Sequence, residues 1–219
     1  MDPLSTIASI IAIIQAISST YKATQHLKGL PKEFNEVNQN LPLVQDTLGL
    51  VHDRLKVVDL DESSKKAIGP IVSGCKEKAK KLQDIFEKVR NSEDGSALDF
   101  YRATLLRLGK AHRVETLMQG ILKGLKAVAV NQLFRTATQS QAAKLEEAID
   151  KLSRVESSVP VSDFDSFRTH INQNVAEGGT GNQAVNTGNG SIKANFGGYN
   201  FDSVGGTMNI GMDIMKKQE

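Results

Sequence analysis

The sequence predicts an all-α protein, an antiparallel bundle of four to five helices, followed by a tail that is disordered or forms amyloid-type β structure. Three observations carry this expectation. Apolar residues across the first 160 positions recur at steps of three and four, the period of helices with one buried face. Gly and Pro interrupt that pattern so as to leave short connections, which favours antiparallel neighbours. Residues 172–211 then hold ten Gly, eight Asn and only three charges, Glu177, Lys193 and Asp202. That is too little apolar mass to offset backbone entropy in a packed core.

Each element has its own signals. Asp2 and Pro3 open the first helix as N-cap and first-turn residue, and Gly29 with Pro31 sets its end near Leu27. The second helix, 31–57, shows Leu41, Val44, Leu48, Val51, Leu55 and Val58, with Pro42 as a candidate bend. Asp61 or Ser63 caps the third, whose stripe is Ile68, Val72, Cys75, Ala79, Leu82, Phe86 and Val89. Gly69-Pro70 predicts a kink or a late start there. Residues 91–96 read as a turn and 97–108 as a short fourth helix. A fifth starts near Lys110, passes Val114, Leu117, Ile121, Leu125 and Val128, and runs on through Leu145, Ile149 and Leu152, with a break expected at 136–140. Val159-Pro160-Val161 closes the helical region. The expected organisation is a helical domain over 1–130, a continuing helix over 131–160, a linker over 161–177, a Gly/Asn-rich motif over 178–212 and a polar terminus over 213–219.

The N-terminal stretch carries no charge between Asp2 and Lys22. Residues 4–17 are mostly apolar, but as a helix they span roughly 21 Å against a hydrocarbon core of about 30 Å. A secretory leader begins with basic residues, and this stretch begins with Asp2. Three readings stand: a buried core helix, a helix buried at rest and released into a membrane, or a constitutive span.

The tail contains an irregular repeat. Residues 181–188 and 190–197 both follow Gly, four residues, Asn, one residue, Gly, and looser copies occupy 198–205 and 206–211. Each copy has room for one short strand and a turn. Single copies are unstable, whereas stacked copies satisfy one another's backbone groups. A flexible tail with no ordered state is the alternative.

Several stretches resemble a known family. They are Gly29-Leu30-Pro31 with Phe34, the run Leu41-Pro42-Leu43-Val44-Gln45-Asp46-Thr47-Leu48, the run from Cys75 through Val89, Tyr101-Arg102, and Leu108-Gly109-Lys110 leading into Arg113-Val114-Glu115-Thr116-Leu117-Met118. Through them residues 4–130 resemble the SesA-type N-terminal domain of fungal NACHT and other P-loop NTPase receptors, a death-pathway module. The tail resembles the amyloid signalling motifs that accompany such domains. Asn186-Thr187-Gly188-Asn189-Gly190 is similar to the sigma class, and Thr207-Met208-Asn209-Ile210-Gly211 is similar to the necroptosis type. The resemblance implies signal transmission: an NLR-like receptor with a matching motif polymerises, its fibre templates this tail, and the helical domain is activated.

Catalytic constellations are missing from the sequence. Gly109-Lys110 lacks the Walker pattern, with Thr104 at the first Gly position and Ala111 at the Ser/Thr position. Gly179-Thr180-Gly181-Asn182-Gln183-Ala184 matches a dinucleotide fingerprint, but no helix-forming segment follows it. His26, His52, His112 and His170 lack metal-ligand spacing, and Cys75 lies in an apolar stripe as an inert thiol. A lone cysteine forms no internal disulfide and suits a reducing compartment. The expectation is therefore no enzyme, no cofactor and no metal.

The charge pattern is more informative. Net charge is only +2, short of a nucleic-acid binder, and aromatics do not interleave with the basic residues. Lys76, Lys78, Lys80, Lys81, Lys88 and Arg90, with Arg102, Arg107, Lys110, Arg113, Lys123 and Lys126, suggest a basic face toward anionic lipid, or an ordinary solvated face.

The leading functional expectation is a cell-death effector, cytoplasmic at rest and at the cell membrane when activated. Leu4, Ile7, Ile10, Ile11, Ile14 and Ile17 are the candidate membrane residues. Val185, Asn186, Ile192, Asn195, Phe196, Phe201, Asn209 and Ile210 are the candidate assembly residues. Partners are the receptor, further copies of the chain in a fibril, and an anionic membrane. The alternative is a non-lytic adaptor whose bundle binds a downstream protein.

Overall fold

A computed structural model describes residues 2–58, 60–92, 96–167, 192–196 and 199–203. Two compact units are present, Met1–Asp165 and Ser166–Glu219. Among the described residues of the first, every regular element is helical: α1 (Pro3–Thr24), α2 (Lys32–Val57), α3 (Glu62–Arg90), α4 (Ala97–Leu108), a 3-10 turn (Lys110–His112), α5 (Val114–Ala129), α6 (Arg135–Ser153) and α7 (Val161–Phe167). The all-α expectation holds, but seven helices replace the four or five anticipated.

The Asp2 carboxylate caps α1, accepting from the amides of Leu4 and Ser5, and these bonds hold its pKa below the usual value. The helix stops at Thr24, three residues early, where the Thr24 hydroxyl bonds the carbonyls of Thr20 and Tyr21, and a tight turn follows to Gly29. Gly29 has φ +77°, a conformation open to glycine, and a Cβ there would stand 2.5 Å from Ser96 Oγ. Asp61, not Ser63, caps α3. That helix begins before Gly69-Pro70 and runs through them, so the expected late start does not occur. The break between the last long helices lies at 130–134, not 136–140. There the Asn131 side chain accepts from the Leu133 amide, while the Thr138 hydroxyl ties α6 to the Ala129 carbonyl at 2.7 Å. The supposed linker begins with α7 instead, and Val159 just before it is 1% exposed.

Four helices, two in each direction, surround one core. At one end Ile7 and Ile10 of α1, Leu48 and Val51 of α2, Val72 and Cys75 of α3, and Leu125 and Val128 of α5 surround a common point. At the other end Phe34 of α2 lies 4.7 Å from Phe86 of α3 and 5.1 Å from Tyr101 of α4, and Tyr21 of α1 lies 6.4 Å from Phe86. So α1 and α3 run one way and α2 and α5 the other, with extended contacts α1–α2, α1–α3, α3–α5 and α2–α5 closing a square. Helix α6 packs outside it, on α2 and α5, and returns the chain to the aromatic end.

Close approach of α3 and α5 rests on Gly120 and Gly124. A Cβ at Gly120 would lie 2.7 Å from the Lys78 stem, and one at Gly124 would press into Cys75 Sγ. Gly124→Ala is therefore expected to destabilise the bundle by about 1–3 kcal/mol. Urea melts of Gly124→Ala, Cys75→Ala and the double variant check this: the double should recover most of the loss, and simple additivity would locate the cost elsewhere.

In the second unit β1 (Ile192–Phe196) and β2 (Tyr199–Ser203) pair antiparallel, with Lys193 opposite Asp202, Asn195 opposite Asn200 and Phe196 opposite Tyr199. They fall in the second and third copies of the repeat.

Candidate functional site

The proposed membrane residues are gathered by α1 and almost wholly hidden. Ile7, Ile10, Ile14 and Ile17 are fully buried, while Leu4 and Ile11 are half-buried against the same core. Their spacing puts the four isoleucines on the face that meets α2 and α3. The opposite face exposes Ser5, Ala8, Ala12, Gln15 and Ser19, without a charge. By length and composition, α1 is the described helix able to cross a membrane.

Of the proposed assembly residues, Ile192, Asn195 and Phe196 lie in β1 and Phe201 lies in β2 opposite Ala194. Val185, Asn186, Asn209 and Ile210 lie outside the described residues, as does His170.

The basic face expected on α3–α5 is divided in the fold. Arg113 is only 8% exposed, Arg102 pairs with Asp163 at 2.7 Å, and Lys126 pairs with Glu146 at 2.6 Å. Lys76 and Lys78 are half-buried, and Lys80, Lys81, Lys88, Lys110 and Lys123 are exposed. Cys75 is 2% exposed, its Sγ facing the Ile121 carbonyl at 3.8 Å, and burial pushes its thiol up to about 11. A thiol at that value is a poor nucleophile near neutrality.

The sequence reading missed a polar cluster at the aromatic end. Ser158 donates its amide (3.1 Å) and its hydroxyl (2.8 Å) to the two oxygens of Glu115. With that proton committed, the Tyr101 hydroxyl donates to Ser158 Oγ at 2.8 Å and accepts from the Val114 amide at 3.1 Å. Burial, with Glu115 nearby, raises the Tyr101 pKa and keeps the phenol protonated. Arg113 reaches Ser157 Oγ at 3.4 Å and lies 5.1 Å from the centre of the Phe164 ring. Glu33, at the start of α2, is 4% exposed, and its pKa is raised by burial and by the charge of Glu115. Only Tyr101, Arg113 and Glu115 had a sequence signal, through the family-like stretches, and nothing pointed to Glu33 or Ser158.

The fold and this placement define a helical bundle with an apolar N-terminal helix held inward, joined to a low-charge Gly/Asn tail. The family model SesA, described as the N-terminal domain on NACHT NTPases and P-loop NTPases, matches residues 7–128, more than half of the chain. The chain belongs to the SesA family. No curated protein and no solved structure matches it.

Glu33 gives a pH signature. Its raised pKa means the folded state holds the proton more tightly, so stability falls as pH climbs from the ordinary carboxylate value through the raised one. Glu33→Gln should melt higher than the parent at pH 8, with the gain vanishing toward pH 4. Thermal melts across that range check it, and a pH-independent difference would contradict the assignment.

Proposed function

We propose that this chain is an effector of programmed cell death, of the fungal type linked to NLR receptors. An NLR-like receptor with a matching motif templates the tail into a fibril, and the crowded bundles release α1 into an anionic membrane. The observation that carries this is α1 itself: 22 residues, uncharged from Pro3 to Tyr21, long and apolar enough to span a bilayer, yet folded with its isoleucines inward. Family membership supports the link to receptor NTPases. The resting chain is cytoplasmic and the active one sits at the cell membrane. It acts without catalysis or cofactor, through self-assembly and contact with lipid.

Tail templating supplies the driving term, because a trigger shifts an equilibrium only by favouring one state. Assembly raises local concentration without new contacts in the bundle. The antiparallel pair in the second unit is compatible with this reading, since its strands contain Ile192, Asn195, Phe196 and Phe201.

A second reading, the non-lytic adaptor, is favoured by the complete burial of Ile7, Ile10, Ile14 and Ile17, as expected of an ordinary core helix. Charges at Ile11 and Ile14 do not separate the two, because Ile14→Asp would disrupt the core. Positions on the exposed face do. Ala12→Lys should leave the resting fold within about 0.5 kcal/mol of the parent. A lysine mid-span costs about 2.5–3.5 kcal/mol on insertion. Chain seeded with tail fibrils should release dye from anionic liposomes, and Ala12→Lys should reduce that release at least tenfold. Absence of release from the seeded parent would favour the adaptor, and equal release from Ala12→Lys would remove α1 from the membrane step.

A further inference from the structure

We propose that residues 154–164 form an autoinhibitory clasp that locks α6 over α2 and α5 and couples the tail to the helical bundle. The coupling rests on the tail-templating reading, whereas the clasp stands on geometry alone. Hydrogen bonds close a circuit that leaves α5 and returns to it: the Val114 amide to Tyr101 Oη, that hydroxyl to Ser158 Oγ, and Ser158 Oγ and N to Glu115. Two further points fasten the segment beyond Ser158. Asp163, 14% exposed at its side chain, holds Arg102, and Phe164 lies beside the buried Arg113 guanidinium. Val159, between Ser158 and these two, enters the core.

What the clasp retains is weakly held by itself. Helix α6 has 19 residues, but only Thr138, Leu145 and Leu152 are buried. A helix with so few core residues belongs to the low-stability end of a fold and opens by itself if its ends are free. Thr138 secures one end on Ala129 and the clasp secures the other. Both α6 and the clasp lie beyond residues 7–128, the stretch that the family model matches. The clasp ends at Phe164, two positions before the second unit begins at Ser166. Load on that unit passes along the chain into the clasp, whose contacts to α4 and α5 must break before the C-terminal end of α6 is free. Opening strips the outer layer from α2, one of the two helices that pack against α1.

Hydrogen–deuterium exchange of the full-length chain tests this in two arms. In the unassembled chain, Ser158→Ala, and separately Asp163→Asn with Phe164→Ala, should speed exchange of 135–153 at least tenfold and leave 62–90 unchanged. Unchanged exchange at 135–153, or an equal rise in both segments, would overturn the clasp. In the second arm the unmodified chain is seeded with fibrils of a 172–211 peptide. Assembly should produce the same selective tenfold rise at 135–153. Fibrils that form without that rise would overturn the coupling while leaving templating intact. A chain that never polymerises would overturn templating and the trigger with it, while the first arm still decides the clasp.

Discussion

The burial of one column of isoleucines organises this molecule. Ile7, Ile10, Ile14 and Ile17 need an apolar lining along the full length of α1, and α2 and α3 supply it from opposite sides. Each such side chain contributes about 1.5–3 kcal/mol when removed from water. The remaining architecture follows from that need. Helix α5 must close the square opposite α1, and its approach to α3 is set by Gly120 and Gly124. Helix α6 then covers the outer side of α2 and α5, which the four-helix arrangement leaves open.

Much of this was legible in the residues, for a definite reason. Periodicity reports burial wherever a helix has a single apolar face. The stripe from Ile68 to Val89 is buried at every position named, and only Ile85 was overlooked. Residues 97–108 form α4 as expected, because Gly109 takes φ +90° and ends it. The errors occur at helix ends, where local backbone and side-chain hydrogen bonds, not apolar spacing, set the boundary. Asn131 and Thr138 fix the α5–α6 break through their own hydrogen bonds, which no spacing encodes. Val58 continues the α2 pattern on paper, yet it is the C-cap residue in extended conformation and leaves the stripe.

The polar end was the least legible part. Glu33, Glu115 and Ser158 are far apart in sequence, and each reads locally as solvated surface. Folding places the two glutamates inside and gives Glu115 the Ser158 donors, so its charge is stabilised by directed hydrogen bonds rather than water. Burial, with the charge of Glu115 nearby, raises the proton affinity of Glu33 instead. The stretch expected as a linker, 161–177, opens instead with α7. Val159 just before it and Phe164 within it convert its start into packed structure.

Uncovering the isoleucine column sets the energetic scale of any release. Four fully buried isoleucines represent about 6–12 kcal/mol of apolar burial, comparable with the whole stability of an ordinary domain, about 5–15 kcal/mol. No single weak contact in a tail offsets that. Release becomes feasible only if the isoleucines pass into another apolar phase and the bundle loses part of its lining at the same time. The uncharged exposed face of α1 meets the first condition, since Ala8, Ala12 and Ser19 carry no ion to dehydrate. A sparsely buried outer helix would meet the second, because α6 is held on α2 and α5 by three fully buried side chains, a few partly buried ones, the Lys126–Glu146 ion pair and one polar circuit. Under the proposed function the large term would be transferred rather than lost, and the small term would be the one that assembly of the tail has to overcome.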